Sequence, residues 1–510
     1  MSQLSQRQHA SGPAALRPAQ VLVIVCAGVV MASLDLFIVN VALPQIAVDL
    51  HEPSLGTLSW VLNGYAIIYA ALLVLAGRLA DQHNRKTGFL LGVAIFTVGS
   101  AACGAAASVP MLIAFRLVQA AGAALLTPTS LGLVMASYPA ERRGGAVRAW
   151  TAAGGMAAAL GPVIGGLLVA ASWRWVFFVN VPIGLAALII GWLRLPDVAG
   201  HPGPRPDALS ALLVTAGVGG LTLGLVRGGA WGWGSARTAG VLAGAVVVLG
   251  LFALHCVRHH NPLVDPGLFR VRTFSGASLA TLLFSVSFGA MLLSIVLWMQ
   301  DAWGWSALAT GLGVAPGPVM VPLFSFLVTG RLLARRGPAV VIGAGAAVFA
   351  AGVLWWALAV QLTPNYLEIL PGMLVTGIGV GLTLPSLMST AASSLPPPSF
   401  ASGSGVVNML RQVGFAVGVA MLVAVLGSPH GGAAELAAFR HGWYAIVAAG
   451  LAAALAAITL RRGTRAPAVA TVPAAAAAAG SAPASSAPAS SAPASSGSPS
   501  SAPASSAAGD

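Results

Sequence analysis

Long apolar runs alternate with short polar segments along almost the whole chain. A helix that crosses a membrane needs about 20 mostly apolar residues, and such runs recur between residues 20 and 461. The pattern therefore predicts an all-α membrane protein with fourteen transmembrane helices. The predicted spans are 20–43, 57–76, 87–107, 110–135, 146–170, 177–195, 208–226, 238–256, 275–298, 307–329, 339–360, 366–390, 402–427 and 441–461.

The composition excludes several classes of protein. Of the 510 residues, 57% are hydrophobic and 7% are charged, whereas a typical soluble domain is about 25% charged. So few charges cannot cover a water-soluble fold of this size, which excludes a soluble enzyme, a DNA-binding protein and a secreted disulfide scaffold. The sequence contains no G-x-x-x-x-G-K-[ST] run for phosphate binding. We therefore expect neither enzymatic activity nor a cofactor.

The basic residues predict how the helices are oriented. With the N-terminus in the cytoplasm, 19 of the 25 lysines and arginines fall in cytoplasmic segments and 4 fall outside. This asymmetry follows the positive-inside rule, so we expect both termini in the cytoplasm and the chain in the inner (plasma) membrane of the cell. The first apolar run contains Asp35 and lacks a cleavage site, which predicts an uncleaved helix rather than a signal peptide.

The two ends of the chain and one loop differ from the membrane helices. Residues 1–19 form a polar cytoplasmic segment, and residues 464–510 form an Ala/Pro/Ser tail whose composition predicts disorder. His255, Cys256, His259 and His260 cluster at the inner end of the eighth span. Since the sequence places no acidic residue or second cysteine beside them, we interpret this cluster as an interfacial loop and expect no metal site.

The segment between the second and third spans resembles a known signature. Residues 77–86 read GRLADQHNRK and are similar to the G-x-L-A-D-R-x-G-R-[RK] motif of the major facilitator superfamily. Asn84 replaces the second glycine of the motif, and asparagine tolerates a left-handed backbone there. A weaker copy, GRLLA, follows the tenth span at residues 330–334, and internal repeats of this kind are typical of secondary transporters.

Further segments resemble the fourteen-span drug:proton antiporters of that superfamily, and they occur in the same order along the chain. They are Leu34-Asp35 with NVALP at 40–44, WV at 60–61 with Tyr65, RLVQ at 116–119, GPVIGG at 161–166, WRWVFFVNVPIG at 173–184, PLVD at 262–265 with LFR at 268–270, and NMLRQVG at 408–414.

The resemblance implies both an architecture and a function. It implies two six-helix bundles, at 20–195 and 275–461, which flank two inserted helices at 208–256. It also implies proton-coupled efflux of a small amphipathic compound, an antibiotic or drug, by a monomer that uses the proton gradient and confers resistance. Two alternatives remain open: a transporter of an endogenous metabolite with the same fold, and a non-transporting membrane sensor.

Two ionisable residues inside the spans are the candidates for proton coupling. A charged carboxylate at the bilayer centre costs about 2.5–3.5 kcal/mol on insertion scales. We interpret Asp35 as the proton carrier or a counter-ion for substrate, and a structural carboxylate bound to a neighbouring helix is the alternative. Arg116 is always charged and needs a partner. Asp35 is a candidate partner, because the first and fourth spans are neighbours in the folds that this sequence resembles; extension of Arg116 to the interface is the alternative.

The turn at residues 77–86 is the predicted gate between inward-open and outward-open states. The gating candidates are Gly77, Asp81, Arg85 and Lys86, and the resemblance implies that Asp81 and Arg85 belong to an ionic latch on the cytoplasmic side. Arg85 alone would also be explained by positive-inside topology, whereas the acidic Asp81 would not.

The fifth span carries the motif that the resemblance associates with antiporters. Its residues are Gly161, Pro162, Gly165 and Gly166. Small residues let helices approach closely, and the proline predicts a kink. Generic helix packing would explain the glycines equally well.

The remaining candidates concern the substrate. For Arg411 we leave two possibilities open, a position facing the cavity or contact with a lipid phosphate at the inner leaflet. Since Asp35 is the only carboxylate well inside the spans, we expect a neutral or singly charged substrate, unless Glu368 near the outer end of the twelfth span turns inward. The candidate cavity residues are Asn40, Tyr65, Gln119, Trp298, Asn408 and Arg411.

Overall fold

The computed structural model describes residues 18–52, 54–200, 207–395, 400–427 and 432–462, and within them the chain is helical apart from short connections. Residues 1–17 and the predicted tail lie outside the described residues. We number the long helices in chain order. They are α1 (Pro18–Asp49), α2 (Trp60–Gln82), α3 (Arg85–Gly104), α4 (Val109–Ser137), α5 (Ala140–Ala171), α6 (Asn180–Arg194), α7 (Ala208–Trp231), α8 (Ala236–Arg258), α9 (Arg272–Leu297), α10 (Ala307–Arg336), α11 (Pro338–Ala359), α12 (Tyr366–Ser393), α13 (Phe400–Leu426) and α14 (Gly432–Ala456).

The number of helices confirms the prediction from the apolar runs. Within the described residues, thirteen helices are long and apolar enough to cross a membrane, and α5 is the fourteenth when its two parts count as one span. These parts, Gly145–Ala157 and Leu160–Ala171, meet at an angle of 41°. Pro162 explains the bend, because proline lacks the N–H group and its ring clashes with the carbonyl four residues earlier. The predicted kink is therefore confirmed.

Two helices extend beyond the predicted spans. α1 continues through Pro44 to Asp49, and α14 begins at Gly432 although the predicted span begins at 441. The predicted span leaves out residues 432–440, which contain Glu435 and Arg440. Glu435 lies in the first turn of α14, where a negative charge is favourable to the helix dipole. Polar residues at this end therefore prolong the helix instead of ending it.

The helices pack in two groups that contact each other. In the first group, α1 packs against α4, α5 and α6, and both α2 and α3 pack against α4. In the second group, α9 packs against α12, α13 and α14. α11 packs against α12 and α14. The groups meet where α2 contacts α13 and where α5 contacts α10. α7 packs against α2 and α13, while α8 packs mainly against α7. The division into two six-helix bundles and an inserted pair stays a prediction, since the described helices form one compact unit.

Candidate functional site

An ion pair lies inside the first group of helices. Asp35 is near the middle of α1, about 25 Å from its first residue at 1.5 Å per residue, and Arg116 belongs to α4, which packs against α1. Arg116 Nη1 is 2.5 Å from Asp35 Oδ2, and both side chains are 0% exposed. Each charge neutralises the other in a region where an isolated charge would be costly.

Gln119 bridges the two charged groups. Its Oε1 accepts a hydrogen bond from Arg116 Nη1 at 2.7 Å, and its Nε2 donates to Asp35 Oδ1 at 2.8 Å. Gln119 follows Arg116 by three residues on α4, so both side chains lie on the same face of the helix. Arg116 Nε donates to the backbone carbonyl of Val61 in α2 at 3.2 Å. The pair therefore joins α1, α2 and α4.

A third side-chain donor reaches Asp35 from α6. Asn180 Nδ2 lies 3.4 Å from Asp35 Oδ1 and 3.0 Å from Ser100 Oγ of α3. The Ser100 hydroxyl in turn donates to the carbonyl of Phe177 at 2.8 Å. The sequence analysis did not single out Asn180 or Ser100. The sequence does contain a signal for Asn180, because it is a polar residue at the start of an apolar span, inside the segment WRWVFFVNVPIG.

Two tyrosines of α2 extend the site away from Asp35. The Tyr65 ring lies 4.1 Å from Arg116 Cζ, a cation–π distance. Tyr65 stacks on Tyr69 with 5.9 Å between ring centroids, and the Tyr69 hydroxyl lies 3.1 Å from Thr127 Oγ1 of α4. Tyr65 is almost fully buried. The structure therefore places two predicted cavity residues, Tyr65 and Gln119, directly on the ion pair.

This arrangement couples the charge of Asp35 to the geometry around it. Arg116, Gln119 and Asn180 all donate to the Asp35 carboxylate, which suits its ionised form. A protonated carboxyl group has one O–H that must donate, so a proton on Asp35 requires at least one of these contacts to change. The alternative in which Arg116 extends to the membrane interface is wrong, because its side chain is completely buried.

Arg411 lies on the opposite side of the boundary between the two groups of helices. It is about 16 Å from the start of α13 at 1.5 Å per residue, so it is far from both ends of that helix. It interacts electrostatically with Tyr69 of α2. Its charge therefore lies near the first group of helices, and its two predicted positions, facing the cavity or at a lipid phosphate of the inner leaflet, both stay predictions.

Three other predicted cavity residues have local contacts. Asn40 Nδ2 donates to the carbonyl of Leu36 in its own helix at 3.2 Å, and Asn408 Nδ2 donates to the carbonyl of Ser404 in its own helix at 3.0 Å. Trp298 is 0% exposed and follows the end of α9. Its ring packs against the rings of Trp303, Phe439 and Trp443 at centroid distances of 5.1–6.3 Å. The prediction that Trp298 lines a cavity is wrong, since it fills a helix interface with α14.

The predicted gate is tied to the loop that follows α6. Lys86 Nζ lies 3.8 Å from Asp197 Oδ2, and Asn84 Nδ2 donates to Asp197 Oδ1 at 3.2 Å. Arg85 Nη1 donates to the carbonyl of Gly132 in α4 at 3.3 Å. The sequence analysis missed Asp197, which is remote from this turn in the chain and becomes its partner only through folding.

The backbone of this turn differs from the expectation for Asn84. Its φ is −61° rather than left-handed, and its side chain caps α3 by accepting from the N–H groups of Lys86 and Thr87. Asparagine is among the preferred N-cap residues, which explains the substitution. The Asp81 side chain lies outside what the structure describes, so the latch stays a prediction. A Cβ atom on Gly77 would lie 3.8 Å from Pro128, an ordinary contact.

Arg78 is a further charged residue of the same motif that sequence reasoning did not single out. It lies in the last turns of α2, where Nη1 donates to the carbonyl of Asn261 at 3.2 Å and Nη2 donates to the carbonyl of Pro262. Both acceptors belong to the loop after α8. Arg78 therefore connects the gate motif of the first group to the segment that leads into the second.

The antiporter motif lies at two close helix contacts. A Cβ atom on Gly161 would lie 2.8 Å from Cβ of Phe37 in α1, so α1 and α5 approach more closely than larger side chains allow. A Cβ atom on Gly166 would lie 2.6 Å from the carbonyl oxygen of Ala307, the first residue of α10. Gly165 packs on Ile38 of α1. The motif therefore joins α5 to α1 and also to the other group of helices.

The histidine cluster has an acidic neighbour that the sequence analysis did not identify. Asp207 precedes α7, and His255 Nε2 lies 3.2 Å from its carboxylate. Ligand atoms of Asp207, His255 and His259 lie within 4.8 Å of one another, so the statement that no acidic residue accompanies the histidines is wrong. The Asp207 carboxylate also accepts from Ser210 N, Ser210 Oγ and Leu263 N.

These bonds decide the charge state of Asp207. Burial raises the pKa of Asp207, but the hydrogen bonds from Ser210 and His255 outweigh that effect, and the pKa lies below its usual value. Since its lone pairs are already occupied by donors from α7, α8 and the following loop, the carboxylate fits a structural link between these elements. The absence of a metal site stays a prediction.

Within the described residues, thirteen or fourteen apolar helices enclose the ion pair of Asp35 and Arg116, and this arrangement defines a polytopic membrane protein of the transporter class. A sequence profile of the Major Facilitator Superfamily matches residues 25–419. The chain belongs to this superfamily, and the resemblance found in its motifs is confirmed.

Named relatives of the chain are exporters of antibiotics. It is 35% identical over 416 residues to the tetracenomycin C resistance and export protein of Streptomyces glaucescens, with 81% of this chain and 76% of the relative covered. It is 36% identical over 425 residues to a cephamycin export protein of Amycolatopsis lactamdurans, with 82% and 87% covered. Among solved structures, an auto-inhibited POT family peptide transporter has a TM-score of 0.65 at 17% identity and covers 88% of this chain and 98% of its own. That likeness shows the fold alone.

Proposed function

We propose that this protein exports small amphipathic compounds, antibiotics or drugs, in exchange for protons. The observation that carries the proposal is the fully buried pair of Asp35 and Arg116 at the middle of the membrane helices. The named relatives, which are resistance and export proteins, supply the direction of transport and the kind of compound. The protein acts in the plasma membrane with both termini in the cytoplasm, and the proton gradient is its energy source without a cofactor.

The proton acts at the Asp35 carboxylate. In the ionised state, Asp35 accepts bonds from Arg116, Gln119 and Asn180. Protonation removes the charge that Arg116 neutralises and makes one oxygen a donor, so the contact between α1 and α4 weakens. Release of the proton restores the ion pair. The two protonation states therefore favour different positions of α1.

α1 transmits this change to the contacts between the two groups of helices. Ile38, one turn after Asp35, packs against Gly165 of α5, and the carbonyl of Val41 accepts a hydrogen bond from Gln300 at 3.0 Å. Gln300 follows α9 in the second group. A shift of α1 therefore alters contacts on which alternating access depends, since such transporters work by moving one half against the other.

The proton gradient supplies enough free energy for useful export. One proton moved through about 100 mV gains about 2.3 kcal/mol, and one pH unit adds about 1.4 kcal/mol. Together they support a concentration ratio of about 500-fold for a neutral compound.

Transport by the purified protein tests this proposal. Proteoliposomes with an acidic interior receive radiolabelled naphthoate, methyl naphthoate or naphthylmethylammonium, three probes that share one ring system and differ in charge. We expect the wild type to accumulate at least one probe above the level of protein-free liposomes in response to the pH gradient, and Asp35→Asn to accumulate none above that level. The matched control is Asp265→Asn, because Asp265 caps a short helix in an exposed loop. Accumulation by Asp35→Asn at the wild-type rate, or none by the wild type, would contradict the proposal.

A further inference from the structure

Arg411 is a cation inside the membrane helices, and the described residues provide no counter-ion for it. Arg116 in α4 and Arg411 in α13 are arginines inside the membrane helices. Arg116 has the carboxylate of Asp35. In the part of the chain that the structure describes, no hydrogen bond or ion pair reaches the Arg411 guanidinium. It interacts electrostatically with Tyr69, whose side chain is neutral.

Two acidic residues that the structure describes were candidates for a charge near the substrate, and both have other partners. Asp35 is committed to Arg116, Gln119 and Asn180. The Glu368 carboxylate accepts from the backbone N–H of Gln361 and from Asn365 Nδ2 at the outer end of α12. It therefore does not turn inward, which removes the one acidic residue that we considered as a second charge for the substrate site.

The position of Arg411 makes it accessible to a ligand between the two groups of helices. Its side chain is partly exposed although it lies near the middle of α13, and it faces Tyr69 of α2 across the boundary. α2 and α13 pack against each other there. Tyr69 stacks on Tyr65, which covers Arg116. A ligand at Arg411 therefore meets a positive charge beside two aromatic rings.

We infer that the preferred substrates are amphipathic compounds that carry one anionic group, a carboxylate or an acidic hydroxyl, which pairs with Arg411. This inference rests on the proposed function and narrows its substrate class. An unpaired charge in a low-dielectric site is costly, and an anionic ligand offsets that cost, whereas a cationic ligand adds to it. The planar guanidinium suits bidentate binding of a carboxylate. The apolar body of the compound lies against the ring of Tyr69, which is partly exposed.

Binding to the purified full-length protein at neutral pH tests the inference. The probes are naphthoate, methyl naphthoate and naphthylmethylammonium, with charges of −1, 0 and +1. We expect the wild type to bind naphthoate most tightly. Arg411→Gln should weaken naphthoate binding about tenfold or more, because a hydrogen bond to a charged group is lost, and should change the affinity for the neutral ester much less. Arg411→Lys should restore part of the naphthoate affinity, since it keeps the charge without the bidentate geometry.

Arg237→Gln is the matched control, since Arg237 is exposed and covers Trp231 outside the site. It should bind all three probes as the wild type does. Preferential binding of the ester or the ammonium probe by the wild type, with pH-driven transport intact, would overturn the inference and leave the proposed export function standing. An equal loss of affinity for naphthoate and its ester in Arg411→Gln would overturn it as well. If the wild type neither binds nor transports any probe, both proposals fail.

Discussion

Arg116 and Arg411 both lie inside membrane helices, one in each group, and their surroundings differ. Arg116 is completely buried and bonds to Asp35, Gln119 and the Val61 carbonyl. Arg411 is partly exposed, and among the described residues it faces an aromatic ring without a carboxylate. The same residue type is thus paired with a carboxylate at one position and, within the described residues, has no carboxylate partner at the other.

This difference separates two uses of an intramembrane charge. A paired arginine holds helices together and responds when its partner is protonated, so its removal affects both folding and coupling. An unpaired arginine at a boundary between helix groups contributes little to the stability of the folded state, so its removal mainly changes the affinity for ligands. The two positions can therefore be distinguished by whether stability or binding changes.

The largest expected effect is a loss of stability in Arg116→Gln. This change leaves the Asp35 carboxylate buried without its cation, which costs about 3–5 kcal/mol. Arg411→Gln should leave the free energy of unfolding unchanged or raise it, because it removes an unpaired charge from within the helices and leaves no carboxylate of the described residues without its partner. Thermal unfolding of both variants in the same detergent measures the difference.

A double variant provides the control for this prediction. Asp35→Asn combined with Arg116→Gln should recover most of the stability that Arg116→Gln loses, since no charge then remains unpaired. Equal unfolding temperatures for Arg116→Gln and Arg411→Gln would show that the contrast between the two arginines is wrong.

A smaller effect is expected at the contact that joins the two groups of helices. Gly166→Val places side-chain atoms against the Ala307 carbonyl, where a Cβ atom alone would already lie at 2.6 Å. Overpacking of this kind costs about 1–3 kcal/mol. Gly155→Val is the control in the same helix, since nothing lies within 4 Å of a Cβ atom there. Thermal unfolding should separate the two variants, and equal destabilisation would contradict the close contact between α5 and α10.

The sequence predicts most of the fold because a membrane imposes a simple length rule. Apolar runs of about 20 residues identify the helices, and Pro162 identifies the bend in α5. The rule fails at helix ends, as at residues 432–440, where charged residues extend a helix into the interface. It gives no information on which helices touch, so the contact of α5 with α10 at Gly166 is visible only in the structure.

The site is predictable to the extent that its residues break the apolar pattern. Asp35 and Arg116 are conspicuous in the sequence because charges are rare inside spans. Partners that are distant in the chain cannot be recognised in this way. Asn180 is 145 residues from Asp35, and Asp207 is 48 residues from His255. Trp298 shows the opposite error, since an aromatic residue near a membrane boundary packs against other rings as readily as against a ligand.

The central claim is that Asp35 carries the coupling proton and is not merely a structural carboxylate. Proteoliposomes loaded with unlabelled naphthoate, at equal pH on both sides, measure exchange for labelled naphthoate; a second set with an acidic interior measures gradient-driven uptake. Asparagine resembles the protonated form of Asp35 and cannot release a proton. The account predicts that Asp35→Asn exchanges naphthoate but shows no gradient-driven uptake. Gradient-driven uptake by this variant, or loss of exchange and driven uptake together, would contradict it.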